Sequence, residues 1–304
     1  MATHRATVAT EMTASLRVSP GRRVDIRTDF DPAATPGQLS KEEAAGDLAD
    51  GIALLEDLQS KLAAQKTFGL LVVLQGIDAS GKDGIVKHVM SGLNPEGVEV
   101  HPFKQPSAEE LAHDFLWRYQ RELPARGQIG IFNRSHYEEV LVVRVHPELL
   151  EREQLPAEAK GVGVWQRRYR EINDWERYLV QNGIVVVKLF LHLSYEEQCR
   201  RFLRRIDNPS RNWKFSVSDI EERRSWDAYQ VAFSEMLSET STRWAPWHVL
   251  PADHKWFTRL AAAGAVANAL LAIDPRYPDV EGAIKAQMAA ARTELEAELS
   301  KRRH

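Results

Sequence analysis

The feature that most constrains this 304-residue chain is a short apolar run joined to a glycine-bracketed lysine. Gly69-Leu-Leu-Val-Val-Leu-Gln75 leads directly into Gly76-Ile-Asp-Ala-Ser-Gly81-Lys82, and helix-forming sequence follows. A run this short, bounded by glycines and rich in branched residues, reads as a strand buried on both faces. The strand, the G-x-x-x-x-G-K turn and the helix together specify a phosphate-binding loop. Its glycines (Gly76, Gly81, Gly84) let backbone N–H groups of residues such as Ala79 and Ser80 wrap an oxyanion. The helix start adds partial positive charge and Lys82 a full one.

The rest of the chain alternates in the same way. Segments 98–101, 128–132, 184–191 and 248–250 read as further strands. Helices are expected from Ser40 to about Gln65, from Ser107 to about Glu122, from Gln166 to Asn182, and from Ser194, Ser218, His254 and Val280 onward. This predicts an α/β fold: a mainly parallel sheet of about five strands between two helical layers. Residues 1–39, with Pro20, Gly21, Pro32, Pro36 and Gly37, read as an irregular arm, and 40–304 as one domain.

Composition narrows the function classes. With 43% apolar and 27% charged residues the chain is globular, and a net charge of −3 argues against a globally basic nucleic-acid binder. The start lacks the apolar core of a signal peptide. The longest apolar stretch, Leu260–Ile273, falls short of the roughly 18 residues that span a bilayer. A single cysteine, Cys199, fits a reducing compartment, so a cytoplasmic protein without a membrane span is expected.

Three segments carry candidate chemistry. In the phosphate loop, Asp83 stands where Ser or Thr normally holds Mg²⁺, and Asp78 lies inside the loop. A carboxylate beside phosphates is repulsive unless a cation lies between them, so Asp78 points to Mg²⁺ or, alternatively, to a self-bonded turn. Asp83 suits the helix dipole. The strand 128–132 opens into Asn133-Arg-Ser-His-Tyr137-Glu138, at the strand end where α/β sheets place ligands. Arg134 either clamps a moving phosphoryl group or pairs with Glu138 on the surface; Asn133 is either a weak metal ligand or a helix cap. The third segment, Arg200–Lys214, holds six basic residues against Asp207. Arg201, Arg204 and Arg205 share one helix face, and a second helix follows Asn208-Pro209. Two helices and a basic loop over about 200–224 describe either a lid that closes on phosphates or a solvated basic face.

Taken together, GIDASGKDG (76–84), FKQPS (103–107), FLWR (115–118), FNRSHYEEV (132–140) and RRFLRRIDNPSRNWKFS (200–216) resemble the family-2 polyphosphate kinases of the P-loop kinase superfamily. The resemblance spans about residues 20–275. It implies a P-loop kinase three-layer fold with a helical lid and Mg²⁺-dependent phosphoryl transfer between inorganic polyphosphate and adenine or other purine nucleotides. It also implies a homodimer or homotetramer. The Asn-Arg-Ser-His-Tyr-Glu form resembles the class III subgroup, whose members phosphorylate both nucleoside mono- and diphosphates. On this resemblance Asp78, Lys82, Arg134 and Glu138 are the catalytic set, with Asp78 and Glu138 as metal ligands. Lys104, Arg118, Tyr137, Arg201, Arg204, Arg205 and Lys214 join the phosphate and nucleotide surface, with Gly76, Ala79, Ser80, Gly81, Asp83, Gly84 and Asn133. Two rivals share these motifs: an ATP-dependent nucleotide kinase, and a non-catalytic P-loop binder of nucleotide or polyphosphate.

Overall fold

A computed structural model describes residues 13–37 and 40–301. Ser40 caps the first long helix, α1 (Lys41–Gln65), with a capping box: the Ser40 Oγ accepts the Glu43 N–H at 3.2 Å, and the Glu43 carboxylate accepts the Ser40 N–H at 2.9 Å. The chain then enters β1 (Gly69–Gln75), α2 (Lys82–Val89) and β2 (Val98–Pro102). After β3 (Ile129–Asn133) follow α3 (Val164–Gln181) and β4 (Ile184–His192). The basic helix α4 (Tyr195–Ile206), α5 (Val217–Glu222) and α6 (Trp226–Thr240) precede β5 (Trp247–Pro251). Helices α7 (Lys255–Ile273) and α8 (Gly282–Lys301) end the described chain.

The five strands form one parallel sheet in the order β2-β3-β1-β4-β5. Every residue of β1 is buried, which explains its unbroken apolar run. Its register aligns Leu74 with Asn133 on β3 and Gln75 with Phe190 on β4, so the phosphate loop and the Asn133–Glu138 segment leave the sheet side by side. Helices α1 and α7 pack together in one layer, and α3 and α6 in the other. Helix α7 is long and apolar enough by composition to cross a membrane, but Phe257, Ala261, Ala262, Val266 and Leu270 are all buried in the core.

Three sequence expectations shift. The helix expected over 107–122 is two short helices, Ala108–Leu111 and Trp117–Gln120. Asp114 separates them: its side chain accepts the Leu116 N–H at 3.0 Å and its carbonyl accepts the Trp117 N–H, which starts a new turn. The helix placed from Ser218 begins at Val217, because Ser216 caps the Ser218 N–H. The described part of the N-terminal arm is not wholly irregular: Ile26–Asp29 forms a helical turn capped by Asp25, whose side chain accepts the Arg27 N–H at 3.1 Å, and the arm is anchored. Val18 N–H donates to Trp247 O and Val249 N–H to Leu16 O, and Leu16, Val18, Val24 and Ile26 are buried. The arm thus lies along the outer edge of β5, where unpaired backbone groups would otherwise be open.

Candidate active site

The carboxyl ends of β1 and β3 build the site. Gly76 and Gly81 adopt φ of 146° and 113°, and a Cβ on Gly76 would sit 2.7 Å from the Leu191 carbonyl, so only glycine fits there. Lys82 turns back into the loop. Its Nζ donates to the carbonyls of Gly76 (2.6 Å) and Ile77 (3.3 Å), and only 8% of the residue is exposed. Burial, with the Arg134 charge adding to it, lowers its pKa to about 8.

Arg134 holds φ of 64°, unusual for a side-chain-bearing residue. Its guanidinium reaches across to Asp78 of the phosphate loop and, at 3.2 Å, to Glu138 on its own loop. The Glu138 charge, then that of Asp78, raises the Arg134 pKa against the effect of burial. Asn133 Nδ2 donates to Asp83 Oδ1 at 3.0 Å and ties the second loop to the start of α2. The Asp78–Arg134 pair stands between two cavities. The larger, about 570 Å³, is lined by ten lysine and arginine side chains against two carboxylates, Asp78 and Asp83. The smaller, about 30 Å³, is bounded by Gly76, Asp78, Arg134, Glu138, Glu222 and Tyr229.

Of the expected residues, Asp78, Ala79, Ser80, Gly81, Lys82, Asp83, Gly84, Lys104, Asn133, Arg134, Arg201, Arg204 and Arg205 meet at the larger cavity. Gly76 and Glu138 face the smaller one. Two expected residues lie elsewhere. Tyr137 is fully buried: its hydroxyl donates to Glu176 Oε1 (2.7 Å) and accepts from Lys188 Nζ (2.8 Å). Arg118 pairs with Glu110 at 3.1 Å, donates to the Lys104 carbonyl at 3.0 Å and lies over the Phe103 ring. It braces the segment that presents Lys104. The Lys214 side chain lies outside the described residues.

The cavity also contains residues that the sequence reading did not assign: Lys87 and His88 on α2, Arg211 in the basic loop, and Lys255, Thr258 and Arg259 on the first turns of α7. A signal existed for the last group. Lys255 and Arg259 are spaced i, i+4 just beyond a strand end, where α/β folds place ligands.

Mg²⁺ is commonly held by one or two carboxylates together with substrate phosphates. Among the described residues no group of three or more His, Cys, Asp and Glu side chains converges as a metal cage. Asp78, half-exposed at the cavity wall, fits the sparser arrangement.

A parallel sheet with a phosphate loop at its carboxyl edge, a second polar strand end beside it and a cationic cavity above defines a P-loop phosphoryl-transfer protein. The chain belongs to the polyphosphate kinase 2 family, whose model matches residues 38–277. It is 45% identical over 284 residues to the ADP-polyphosphate phosphotransferase of Rhodopseudomonas palustris, covering 93% of this chain and 98% of that one. The AMP/ADP-polyphosphate phosphotransferase of Meiothermus ruber is 42% identical over 268 residues, 88% of this chain and 96% of that one. The crystal structure of polyphosphate kinase 2 from Arthrobacter aurescens superposes with a TM-score of 0.82 at 39% identity, covering 91% of this chain and 95% of that one.

Proposed function

We propose that this chain moves phosphoryl groups between inorganic polyphosphate and nucleotides, taking AMP to ADP and ADP to ATP. The observation that carries this reading is the ratio of ten cationic side chains to two carboxylates around the 570 Å³ cavity. A polyanionic chain needs a track of positive groups rather than a shaped pocket. Lys87, Lys104, Lys255 and Arg259 line the cavity together with the loop residues and would supply such a track. The relatives' names support both the donor and the breadth of acceptors.

The chemistry asks little of a general base, because the attacking phosphate oxygen of AMP or ADP is already ionised at neutral pH. Alignment and charge neutralisation then supply the rate. Lys82 and the loop amides hold the donor phosphates. Arg134, at the junction of the two cavities, neutralises the group in transit, and donor binding frees Asp78 and Glu138 from it. These two carboxylates would hold Mg²⁺ together with phosphate oxygens, and the ion would supply further charge neutralisation. A dimer or tetramer is supported by the family resemblance and by α8, whose Ile284, Met288, Leu295 and Leu299 are exposed in the single chain. A cytoplasmic setting is supported by the lone, unpaired Cys199.

The decisive assay supplies Mg²⁺ and AMP with either polyphosphate or ATP as donor and follows nucleotides by chromatography. ADP and then ATP from polyphosphate is the expected result. Turnover with ATP alone would make the chain a nucleotide kinase, and no turnover with either donor a binding protein.

A further inference from the structure

The arginines of the basic helix α4 do different things. Arg204 is half-exposed and leans on Glu197, and Arg205 pairs with Asp219 of α5 at 3.2 Å. Both partners are carboxylates, which a phosphate can replace. Arg201 is only 5% exposed, and its guanidinium makes five N–H···O contacts inward. Nε donates to Glu197 Oε1 at 3.1 Å. Nη1 donates to the carbonyls of Ala79 (2.9 Å) and Ser80 (2.8 Å) in the phosphate loop. Nη2 donates to the carbonyls of Ala252 and Asp253, just beyond β5. Every donor position of the fork is engaged, so none is left for a phosphate oxygen.

One turn earlier, Gln198 Nε2 donates to the Asp78 carbonyl at 2.9 Å, and Arg223 holds the Gln198 Oε1. Three successive loop carbonyls, of residues 78, 79 and 80, are therefore gripped from α4. In a trans peptide the C=O and the following N–H point in opposite directions. Drawing the Asp78 and Ser80 carbonyls toward α4 turns the N–H groups of Ala79 and Gly81 away from it. The Ala79 carbonyl is gripped likewise, and its peptide's N–H, on Ser80, closes onto Ile77 O at 3.1 Å. The far end of the clamp is also fixed, since Ser194 N–H donates to Asp253 Oδ1 at 2.9 Å.

We propose that Arg201, with Gln198, is a positioning residue that aims the amides of the phosphate loop and does not itself bind the donor. The family resemblance suggests phosphate binding for Arg201; the structure spends it on the protein's own carbonyls. It follows that the first two turns of α4 belong to the rigid frame, and that any closing motion begins beyond them, toward Arg204, Arg205 and the 207–216 loop.

The test is Arg201→Lys in the full-length chain, which keeps the charge and loses the fork. Lysine keeps the charge that attracts a polyanion and can still bind phosphate as a point charge, but its three donors cannot span the five acceptors of the clamp. The expected result is a fall in kcat of about 10- to 100-fold, as for a misplacement of about 1 Å in a reacting geometry, with KM for polyphosphate within about twofold. Hydrogen exchange at the amides of 79–84 should quicken while β1 and β4 keep their protection. Retained kcat, or unchanged exchange at 79–84, overturns the proposal. Gln198→Met supplies a second variant that removes a neutral donor and no charge. It should lower kcat several-fold and quicken the same amides, and it decides the matter if Arg201→Lys does not fold. The kinetic arm rests on the polyphosphate-transfer reading. If the wild-type chain turns over neither donor, that reading fails, and the exchange arm still decides the clamp.

Discussion

The two loops that meet at the site leave adjacent parallel strands, yet they are held in opposite ways. The β1 loop is shaped mainly by its own backbone: glycine torsions at Gly76 and Gly81, the Lys82 ammonium on the Gly76 and Ile77 carbonyls, and a clamp from α4 behind it. The β3 loop has a short scaffold of its own, with Ser135 Oγ accepting the Tyr137 N–H at 3.3 Å and the Ser135 carbonyl the Glu138 N–H at 2.9 Å, but its main support comes from below. Arg134 sits in the left-handed region, and the turn His136–Val140 beneath it rests on a buried ionic network. There Lys188 Nζ donates to Glu176 Oε2 (2.7 Å), Tyr137 Oη (2.8 Å) and the Thr240 carbonyl (2.6 Å), and the Lys188 and Glu176 side chains are fully buried. His136 packs against the same glutamate, its Nε2 3.3 Å from Glu176 Oε1. The torsions of a phosphate loop follow local rules, even though its carbonyls are gripped here from α4. A loop that must hold one arginine against two carboxylates is held from below, by residues distant in the chain.

The largest effect should come from the first loop's charge. Lys82→Ala removes the only lysine inside the phosphate loop and should lower kcat by about 1,000-fold, the upper range for losing one charge-stabilising donor. Folding should be spared, because the displaced amine leaves two carbonyls near an open cavity. Steady-state kinetics beside a thermal melt separates the two effects. A large loss of stability would show that Lys82 is structural like Lys188, and the contrast between the loops would dissolve.

Next in size is Lys188→Met, which strands the Glu176 carboxylate in the core. Breaking a buried pair from one side costs about 3–5 kcal/mol, whereas replacing both partners is often close to neutral. Urea denaturation should therefore show a severe single mutant and a double mutant, Lys188→Met with Glu176→Met, much nearer the wild type. A double mutant that recovers stability yet remains slow would show that the network also aims Arg134. Recovery of both would reduce it to packing.

A smaller effect separates the acceptors. Glu138 faces the smaller cavity and shares Arg134 with Asp78. Glu138→Asn should depress AMP phosphorylation several-fold more than ADP phosphorylation, as measured by kcat/KM for each acceptor. Equal losses would remove the acceptor-side role and leave Glu138 as a partner for Arg134 alone.

What the sequence discloses follows the same division. Strand β1, its loop, β4 and the capped start of α1 are written in contiguous residues, so apolar runs, glycine spacing and capping residues reveal them. Tyr137 reads as a site residue because it lies between Arg134 and Glu138. Only the 3-10 turn at 136–140 and partners about 40 to 50 residues away send its ring inward. Lys255 and Arg259 look like a solvated helix face until α7 packs on α1 and α2 and brings its first turns to the cavity. The arm's Val18, Val24 and Ile26 stand among prolines and glycines without periodicity, and their burial depends on the edge of β5 and on α6, where Ser234 and Ser238 accept the Ile26 and Val24 N–H groups.

The finest test of the second loop's underpinning is its pH dependence. Glu139, one residue beyond Glu138, is buried and its pKa is pushed up to about 7, first by burial and further by Glu153, with Arg168 opposing. Its Oε1 accepts the Tyr119 hydroxyl at 3.2 Å, and Arg168 Nη1 stands 3.7 Å from Oε2 while Nη2 serves Glu153. The unfolded chain releases this proton near 4.5, so between about pH 4.5 and 7 the folded state binds more protons than the unfolded one. The Glu139 contribution to stability is therefore complete below 4.5, declines as pH rises to about 7, and is lost above it. Glu139→Gln keeps the shape of the protonated acid and removes the titration. The stability gap between variant and wild type, measured by urea denaturation at pH 5 and pH 7.5, should move in the variant's favour at the higher pH. A gap that stays constant would mean that Arg168 keeps Glu139 ionised throughout, and the β3 loop would then rest on two buried ion pairs in place of one.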